Sequence, residues 1–242
     1  MEVAMQRGPR VALVTGAGSG MGLCATAVFL REGWTVIAAD LAPPPMDEEN
    51  GAIVPLTVDV RDRKGLEAAL ERLVPELGGE IHAVANIAGI YPPSTLDDFT
   101  EELYRTVFDV NVLGVLNVMA TATPFMPSGS AIVNFASVDG YHVSPGQLIY
   151  GASKAAVIMI TKATALELAE QGIRVNALAP GWVHTPGNMA TGRLEAAAAA
   201  IPLGRVADPA EIAEWAWLLT GSPVSQFMTG ETVTLSGGDV IR

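Results

Sequence analysis

Tyr150 and Lys154 stand four residues apart in Tyr150-Gly-Ala-Ser-Lys154, a spacing that puts both side chains on one face of a helix. A phenol and an ammonium so placed can work as one acid–base unit. Free tyrosine has a pKa near about 10 and is protonated at neutrality, so its use as a base requires a stabilised phenolate. A unit positive charge roughly 5 Å away, at an effective dielectric near 20, contributes about 3 kcal/mol or some two pKa units. Lys154 is therefore expected to lower the Tyr150 pKa. Alone, Tyr-x-x-x-Lys is also the pattern of an ordinary solvated helix face, so its weight comes from the elements around it.

The first of these is at the front of the chain, where the apolar run Val11–Val14 leads into Thr15-Gly-Ala-Gly-Ser-Gly-Met-Gly22 and a helical pattern through Leu30. Glycines let backbone approach a pyrophosphate, and the following helix offers it unpaired N–H groups and a positive dipole end. The candidate contacts are Gly16, Ser19, Gly20, Met21 and Gly22. The spacing Gly16-x-x-x-Gly20-x-Gly22 differs from the Gly-x-Gly-x-x-Gly of the common Rossmann fingerprint. Asp40 ends the next apolar run, Trp34–Ala39, twenty residues after Gly20, where a second strand should finish beside an adenosine ribose. A carboxylate there accepts hydrogen bonds from both ribose hydroxyls. It also repels a 2′-phosphate: at about 4 Å and an effective dielectric near 20 the repulsion is roughly 4 kcal/mol, about a thousandfold in affinity. Neither Ala17 nor Leu41 offers the basic residue a 2′-phosphate would want, so NAD is the expected cofactor.

These motifs, with others in register, resemble the classical short-chain dehydrogenase/reductase family over essentially the whole chain. Thr15-Gly-x-x-x-Gly-x-Gly22 is similar to that family's cofactor turn, Asn86-Ile-Ala-Gly89 to its Asn-Asn-Ala-Gly element, and Asn111 in Asp-Val-Asn-Val-Leu-Gly to its helix asparagine. Ser137 precedes Tyr150 by thirteen residues, as the family's catalytic serine does, and Pro180-Gly181 followed by Thr185 resembles the segment covering the nicotinamide. The resemblance implies a catalytic set of Asn111, Ser137, Tyr150 and Lys154. Ser137 would steady the reacting oxygen, Lys154 would also bond the nicotinamide ribose, the positive charge of NAD+ would add to that of Lys154 in stabilising the phenolate, and Asn111 would hold a water linking Lys154 to solvent. Asp59 and Val60 resemble the adenine-binding pair, although Asp59 also reads as the N-cap of a helix beginning around Arg61. Val183 and Thr185 would bond the carboxamide, Asn86 would brace the sheet, and Asn86, Ala88 and Gly89 would line the ribose side. A homotetramer built through the helices of Asn111 and Tyr150–Lys154 and through the last strand is implied as well.

Two departures from the family pattern stand out. Ile87 replaces the second asparagine, a loss that leaves Asn86 in place. Residues 42–52 contain Pro43-Pro-Pro45, which lacks N–H donors and favours extended geometry, so a loop is expected where the family has a helix.

Seven short β-type runs alternate with helical stretches: Val11–Thr15, Trp34–Ala39, Ile53–Val58, Ile81–Asn86, Ala131–Ala136, Ile173–Leu178 and Thr232–Leu235. This predicts one α/β domain over residues 10–242, a Rossmann-like doubly wound parallel sheet of seven strands with helices on both faces. Residues 1–9 read as a loose leader with too few apolar residues for a signal peptide, and no run approaches 18 uninterrupted apolar residues, so a soluble cytoplasmic protein is expected. With 14 basic and 26 acidic residues the net charge is −12, which disfavours nucleic acid and anionic membranes as partners. Cys24 is the single cysteine and reads as a small core residue. His82, His142 and His184 lack ligand-like spacing, so no metal site is expected.

The substrate, a small molecule, should meet Tyr91, Asp139, His142, Gln147 and Trp182, beneath a short lid at about 186–200. The leading function is interconversion of a secondary alcohol and a ketone with NAD(H). An NADPH-dependent 3-oxoacyl carrier-protein reductase is the rival. Against it stand Asp40 and the absence of Lys or Arg in 121–131, where an acidic carrier would dock. A non-catalytic NAD-binding regulator is the third class.

Overall fold

A computed structural model describes residues 10–42, 44 and 53–241. The leader at 1–9 and most of the prolyl segment 42–52, with the expected loop there, lie outside the described residues. The apolar runs form strands β1 (Val11–Thr15), β2 (Thr35–Asp40), β3 (Ile53–Thr57), β4 (Ala83–Asn86), β5 (Ala131–Phe135), β6 (Arg174–Pro180) and β7 (Thr232–Leu235). Their bounds differ from the predicted runs by at most two residues. The helices are α1 (Gly20–Arg31), α2 (Arg63–Glu76), α3 (Glu101–Phe108), α4 (Gly114–Ala122), α5 (Leu148–Leu168), α6 (Pro186–Met189), α7 (Leu194–Ala200) and α8 (Pro209–Thr220).

All seven strands join one sheet in the order β3-β2-β1-β4-β5-β6-β7, each pair parallel. Consecutive residues of a strand supply opposite faces. Leu13 packs with Ile37, Leu70, Val118, Ile132 and Val157 beneath α2, α4 and α5, while Val14 packs with Phe29, Val36, Leu178, Ile212 and Leu219 beneath α1 and α8. Coverage on both faces explains why β1 and β5 are buried along their whole length and read as continuous apolar runs. Pro55, which cannot donate to a ladder, sits in β3 at the sheet edge, where its missing N–H is tolerated.

The chain winds outward from β1 in one direction and from β4 in the other, which opens a crevice at the carboxyl ends of those two strands. Thr15 and Asn86 pair there. The Thr15 hydroxyl accepts hydrogen bonds from Ile87 N at 3.0 Å and Ala88 N at 3.2 Å, tying the end of β1 to the loop after β4.

Helices α3 and α4 form one continuous element through a wider π turn at Asp109–Leu113, which carries Asn111. By length and composition the stretch Glu101–Phe125 is apolar enough to cross a membrane, but half of its apolar window is buried inside the fold. It also carries buried Asn111 and Asn117, and Asn117 Nδ2 donates to the carbonyls of Val60 and Arg61 at 3.0 and 3.2 Å. These contacts mark a core helix of this domain.

Under α5 a chain of buried amides crosses the sheet. Asn86 Nδ2 donates to Asn134 Oδ1 at 2.9 Å, and Asn134 Nδ2 donates to Thr161 Oγ1 at 3.0 Å. The other amide atom of Asn86, Oδ1, is buried without a partner, so Asn86 depends on Asn134 for its side-chain bond. Asn134→Ala should therefore destabilise the fold by about 2 kcal/mol or more, because a buried amide left unpaired carries its full desolvation cost. The urea midpoint measures this, and an unchanged midpoint would show that the brace carries no stability.

Candidate active site

The glycine turn folds so closely on itself that side chains have no room. A Cβ at Gly22 would lie 1.9 Å from the Gly16 carbonyl oxygen, and Gly16, at φ 69°, sits against the backbone of Ala88. Gly16 therefore combines a left-handed conformation with close approach, both of which exclude other residues. The amino end of α1 is left facing a cleft of about 360 Å³ lined by Gly16, Ser19, Gly20, Met21, Gly22, Asp40, Asp59, Val60, Ala88, Gly89 and Thr185. Asp40 is fixed at one end of it: Oδ2 accepts from Gly18 N at 2.9 Å and Oδ1 from Ala42 N at 3.1 Å. The residue after it, Leu41, is 70% exposed.

Two expectations for this cleft need correction. Asp59 does not cap a helix, since Asp62 caps α2 by accepting from Gly65 N. The Asp59 carboxylate instead holds Arg61 through its guanidinium and its backbone N–H, and the guanidinium keeps that carboxyl below the usual carboxylate range. Asn86 does not line the ribose side either. It is buried against Asn134, and Ala88 and Gly89 form that wall.

Ser137 ends β5 in extended conformation, and its Oγ accepts from Asp139 N at 3.2 Å, capping a single turn at Val138–Gly140. That turn rests directly on α5. A Cβ at Gly151 would lie 2.9 Å from the Asp139 carbonyl oxygen, and one at Gly140 would lie 3.0 Å from Ala155 N. This close approach sets Ser137 beside the Tyr150 phenol, and both line one cavity. Tyr91 meets the Tyr150 ring edge-on, with centroids 5.9 Å apart.

Lys154 is only 4% exposed. Its ammonium donates to the Phe135 carbonyl at 2.6 Å and lies 5.6 Å from the centroid of the Tyr150 ring. Burial pulls its pKa down to about 8. Asn111 clamps the loop after β4, with Nδ2 donating to Ile90 O at 2.8 Å and Oδ1 accepting from Ile90 N at 2.9 Å. Nδ2 also donates to Ser153 Oγ at 3.0 Å. The Asn111 side chain is thus spent on positioning, and the loop it holds places Gly89 where a Cβ would touch both Asn111 Oδ1 and Lys154 Nζ.

The expected lowering of the Tyr150 pKa is not found in the protein alone. Desolvation dominates and raises the phenol above its ordinary value, and the charge of Asp139 adds to the rise. The neighbouring Ser137 hydroxyl opposes this only in part.

A second cavity of about 130 Å³ adjoins the cleft and shares Met21, Tyr91 and Thr185 with it. Ser137, Tyr150, Pro180, Gly181 and Val183 line it, as do the expected substrate residues Asp139, His142, Gln147 and Trp182. The lid is the pair of short helices α6 and α7, which contribute Asn188 and, between them, Arg193. Asn188 and Arg193 fall in the expected lid segment, whereas Ser144 and Asp239 also line this cavity and carry no signal in the sequence. Ser144 is a small polar loop residue, and Asp239 arrives from the far end of the chain; no motif marks either of them. His184 lies outside this lining. Among the described residues no cluster of His, Cys, Asp or Glu suits a metal ion.

The sequence profile of a family described as enoyl-(acyl carrier protein) reductase matches residues 16–239. The 3-oxoacyl-(acyl-carrier-protein) reductase FabG of Thermotoga maritima is 39% identical over 243 residues, which cover 96% of this chain and 98% of that protein. The solved 3-ketoacyl-(acyl-carrier-protein) reductase from Brucella melitensis complexed with NADH matches with a TM-score of 0.87 and 29% identity, over 97% of this chain and 99% of that one. ElxO with NADP bound matches with a TM-score of 0.86 and 25% identity, over 96% and 98%.

The raised phenol gives a direct expectation. From neutrality to about pH 9, below the free tyrosine range, the cofactor-free protein and its Tyr150→Phe variant should show the same tyrosinate absorbance. An excess in the unmutated protein would mean that Lys154 outweighs desolvation at this site.

Proposed function

The chain is an oxidoreductase of the short-chain dehydrogenase/reductase family, and from that premise we propose that it interconverts a secondary alcohol and a ketone with NAD(H). One observation carries the reading: Ser137 and Tyr150 line a small cavity that adjoins the glycine-turn cleft, with buried Lys154 behind the phenol ring.

The cleft fits a dinucleotide, because its floor is backbone that no side chain could share. Gly16 to Gly22 would take the pyrophosphate, Asp40 the ribose hydroxyls, Asp59 and Val60 the adenine end, and Val183 and Thr185 the carboxamide. When bound, the nicotinamide supplies the hydride acceptor or donor and, in its oxidised form, a positive charge. The chain's own groups handle the oxygen and the proton. Ser137 orients the reacting oxygen and steadies negative charge developing on it. Tyr150 takes or gives that oxygen's proton. Lys154 keeps a cation against the phenol ring, and Asn111 and Phe135 keep Lys154 and the loop beside it in place.

Preference for NAD over NADP is supported by the fixed Asp40 carboxylate and by its neighbours Ala17, Gly18, Leu41 and Ala42, none of them basic. The relative bound to NADH fits this reading, and the one bound to NADP shows that the fold accommodates either. Two relatives that are carrier-protein reductases by name favour a second reading, reduction of a 3-oxoacyl thioester. Asp40 and the charge of −12 count against docking an acidic carrier and using NADPH. We also propose assembly into a homotetramer, supported by apolar side chains exposed on α5 and the preceding long helix, Met159, Leu166, Leu113 and Leu116.

Purified protein incubated with secondary alcohols should reduce NAD+ in preference to NADP+. Tyr150→Phe should retain less than about one per cent of that rate, since a general acid–base group contributes at least two orders of magnitude; a variant keeping more would remove Tyr150 from the chemistry. Asp40→Ala should lower the NAD-to-NADP ratio of kcat/KM by at least tenfold. Silence with NAD+ alongside reduction of a 3-oxoacyl thioester by NADPH would establish the second reading instead.

A further inference from the structure

Asp139 is a carboxylate set beside the catalytic phenol. It stands two residues after Ser137, its backbone N–H bonds the Ser137 hydroxyl, and it lines the cavity that Tyr150 enters. Its negative charge opposes formation of the Tyr150 phenolate, so it works against the acid–base step by itself. The bond it receives from the Ser144 hydroxyl is from a neutral donor. The nearby Arg193 guanidinium is not paired with it but lies over the Trp182 ring, 5.3 Å from its centroid. His142 and Asp239 are the other titratable groups at this wall. Burial raises the Asp139 pKa, and the charges of His142 and Arg193 offset this in part; with no ion pair among the described residues, the carboxylate is a strong hydrogen-bond acceptor facing the place where a substrate must sit.

We propose that Asp139 binds a second hydroxyl on the substrate, close to the reacting carbon, so that the enzyme selects small diols, polyols or hydroxyketones over simple alcohols and ketones. This rests on the alcohol oxidoreductase reading above. The cavity's chemistry favours a hydroxyl over a cationic amine, because an ammonium bonded to Asp139 would share the space with Arg193. Its size favours a small molecule: about 130 Å³ is well below the roughly 300–1,000 Å³ of pockets for drug-sized ligands. Gln147, on the same wall, has its Oε1 buried with no hydrogen-bond partner among the described residues, a second acceptor that a hydroxylated ligand could satisfy after a modest rotation of the amide. A site built to bond a hydroxyl discriminates strongly against an analogue lacking it, since its own polar groups are then left unpaired.

The test compares 1,2-cyclopentanediol with cyclopentanol, assayed with NAD+ and with NADP+, in the unmutated enzyme and in Asp139→Ala and Asp139→Asn. The unmutated enzyme should favour the diol in kcat/KM by at least about tenfold. Asp139→Ala should bring that ratio to within about threefold of unity, while Asp139→Asn, which keeps shape and one acceptor, should fall between the two. If Asp139→Ala does not fold, Asp139→Asn decides through its ratio. A ratio near unity in the unmutated enzyme, or one unchanged in either variant, would overturn the inference and leave the alcohol oxidoreductase reading standing. Turnover of neither alcohol with either cofactor would overturn both.

Discussion

An ammonium buried behind a phenol, held by one main-chain carbonyl, is the interaction on which the rest of this structure depends. Moving a lysine out of water costs several kcal/mol after relaxation, and the 2.6 Å bond from Lys154 to Phe135 O recovers only part of that. Stability alone does not account for such a residue. Its position does: Lys154 is one helical turn from Tyr150, with its charge 5.6 Å from the ring, where it can lower the cost of a phenolate once the site is filled.

Holding that pair requires close contacts from three directions. Gly140 and Gly151 let the turn after β5 press against α5, which sets Ser137 beside the phenol. Gly89 leaves room for Lys154 and Asn111 together, and Asn111 ties the loop bearing Gly89 to the long helix. The same loop is bonded to Thr15 at the end of β1, directly before the glycine turn. The acid–base centre and the dinucleotide cleft are therefore two ends of one braced junction at the sheet's switch point, and a shift in either moves the other.

Much of this was legible in the chain because the informative spacings are local. Tyr150 and Lys154 share a helix, Thr15 to Gly22 form one turn, and the strands are apolar runs bounded by loops, so periodicity and glycine placement suffice. What escaped depends on distant contacts. Asp239 reaches the substrate cavity from the far end of the chain, and no local pattern marks it. The capture of Asp59 by Arg61 and the inward turn of Asn86 depend on side-chain packing rather than spacing. The rise of the Tyr150 phenol in the protein alone has the same origin: charge spacing can be read from a helix, but the depth of burial that outweighs Lys154 before a nicotinamide adds its own positive charge belongs to the folded state.

The central claim, that Lys154 is buried for the sake of Tyr150 and not for the fold, is tested most directly by Lys154→Met. This substitution keeps most of the length of the side chain and removes its charge. Thermal unfolding and NAD+ reduction measured on the same preparation should show a midpoint equal to or above that of the unmutated protein, with turnover reduced by at least two orders of magnitude. A lowered midpoint with turnover retained would contradict the account and make Lys154 a structural residue.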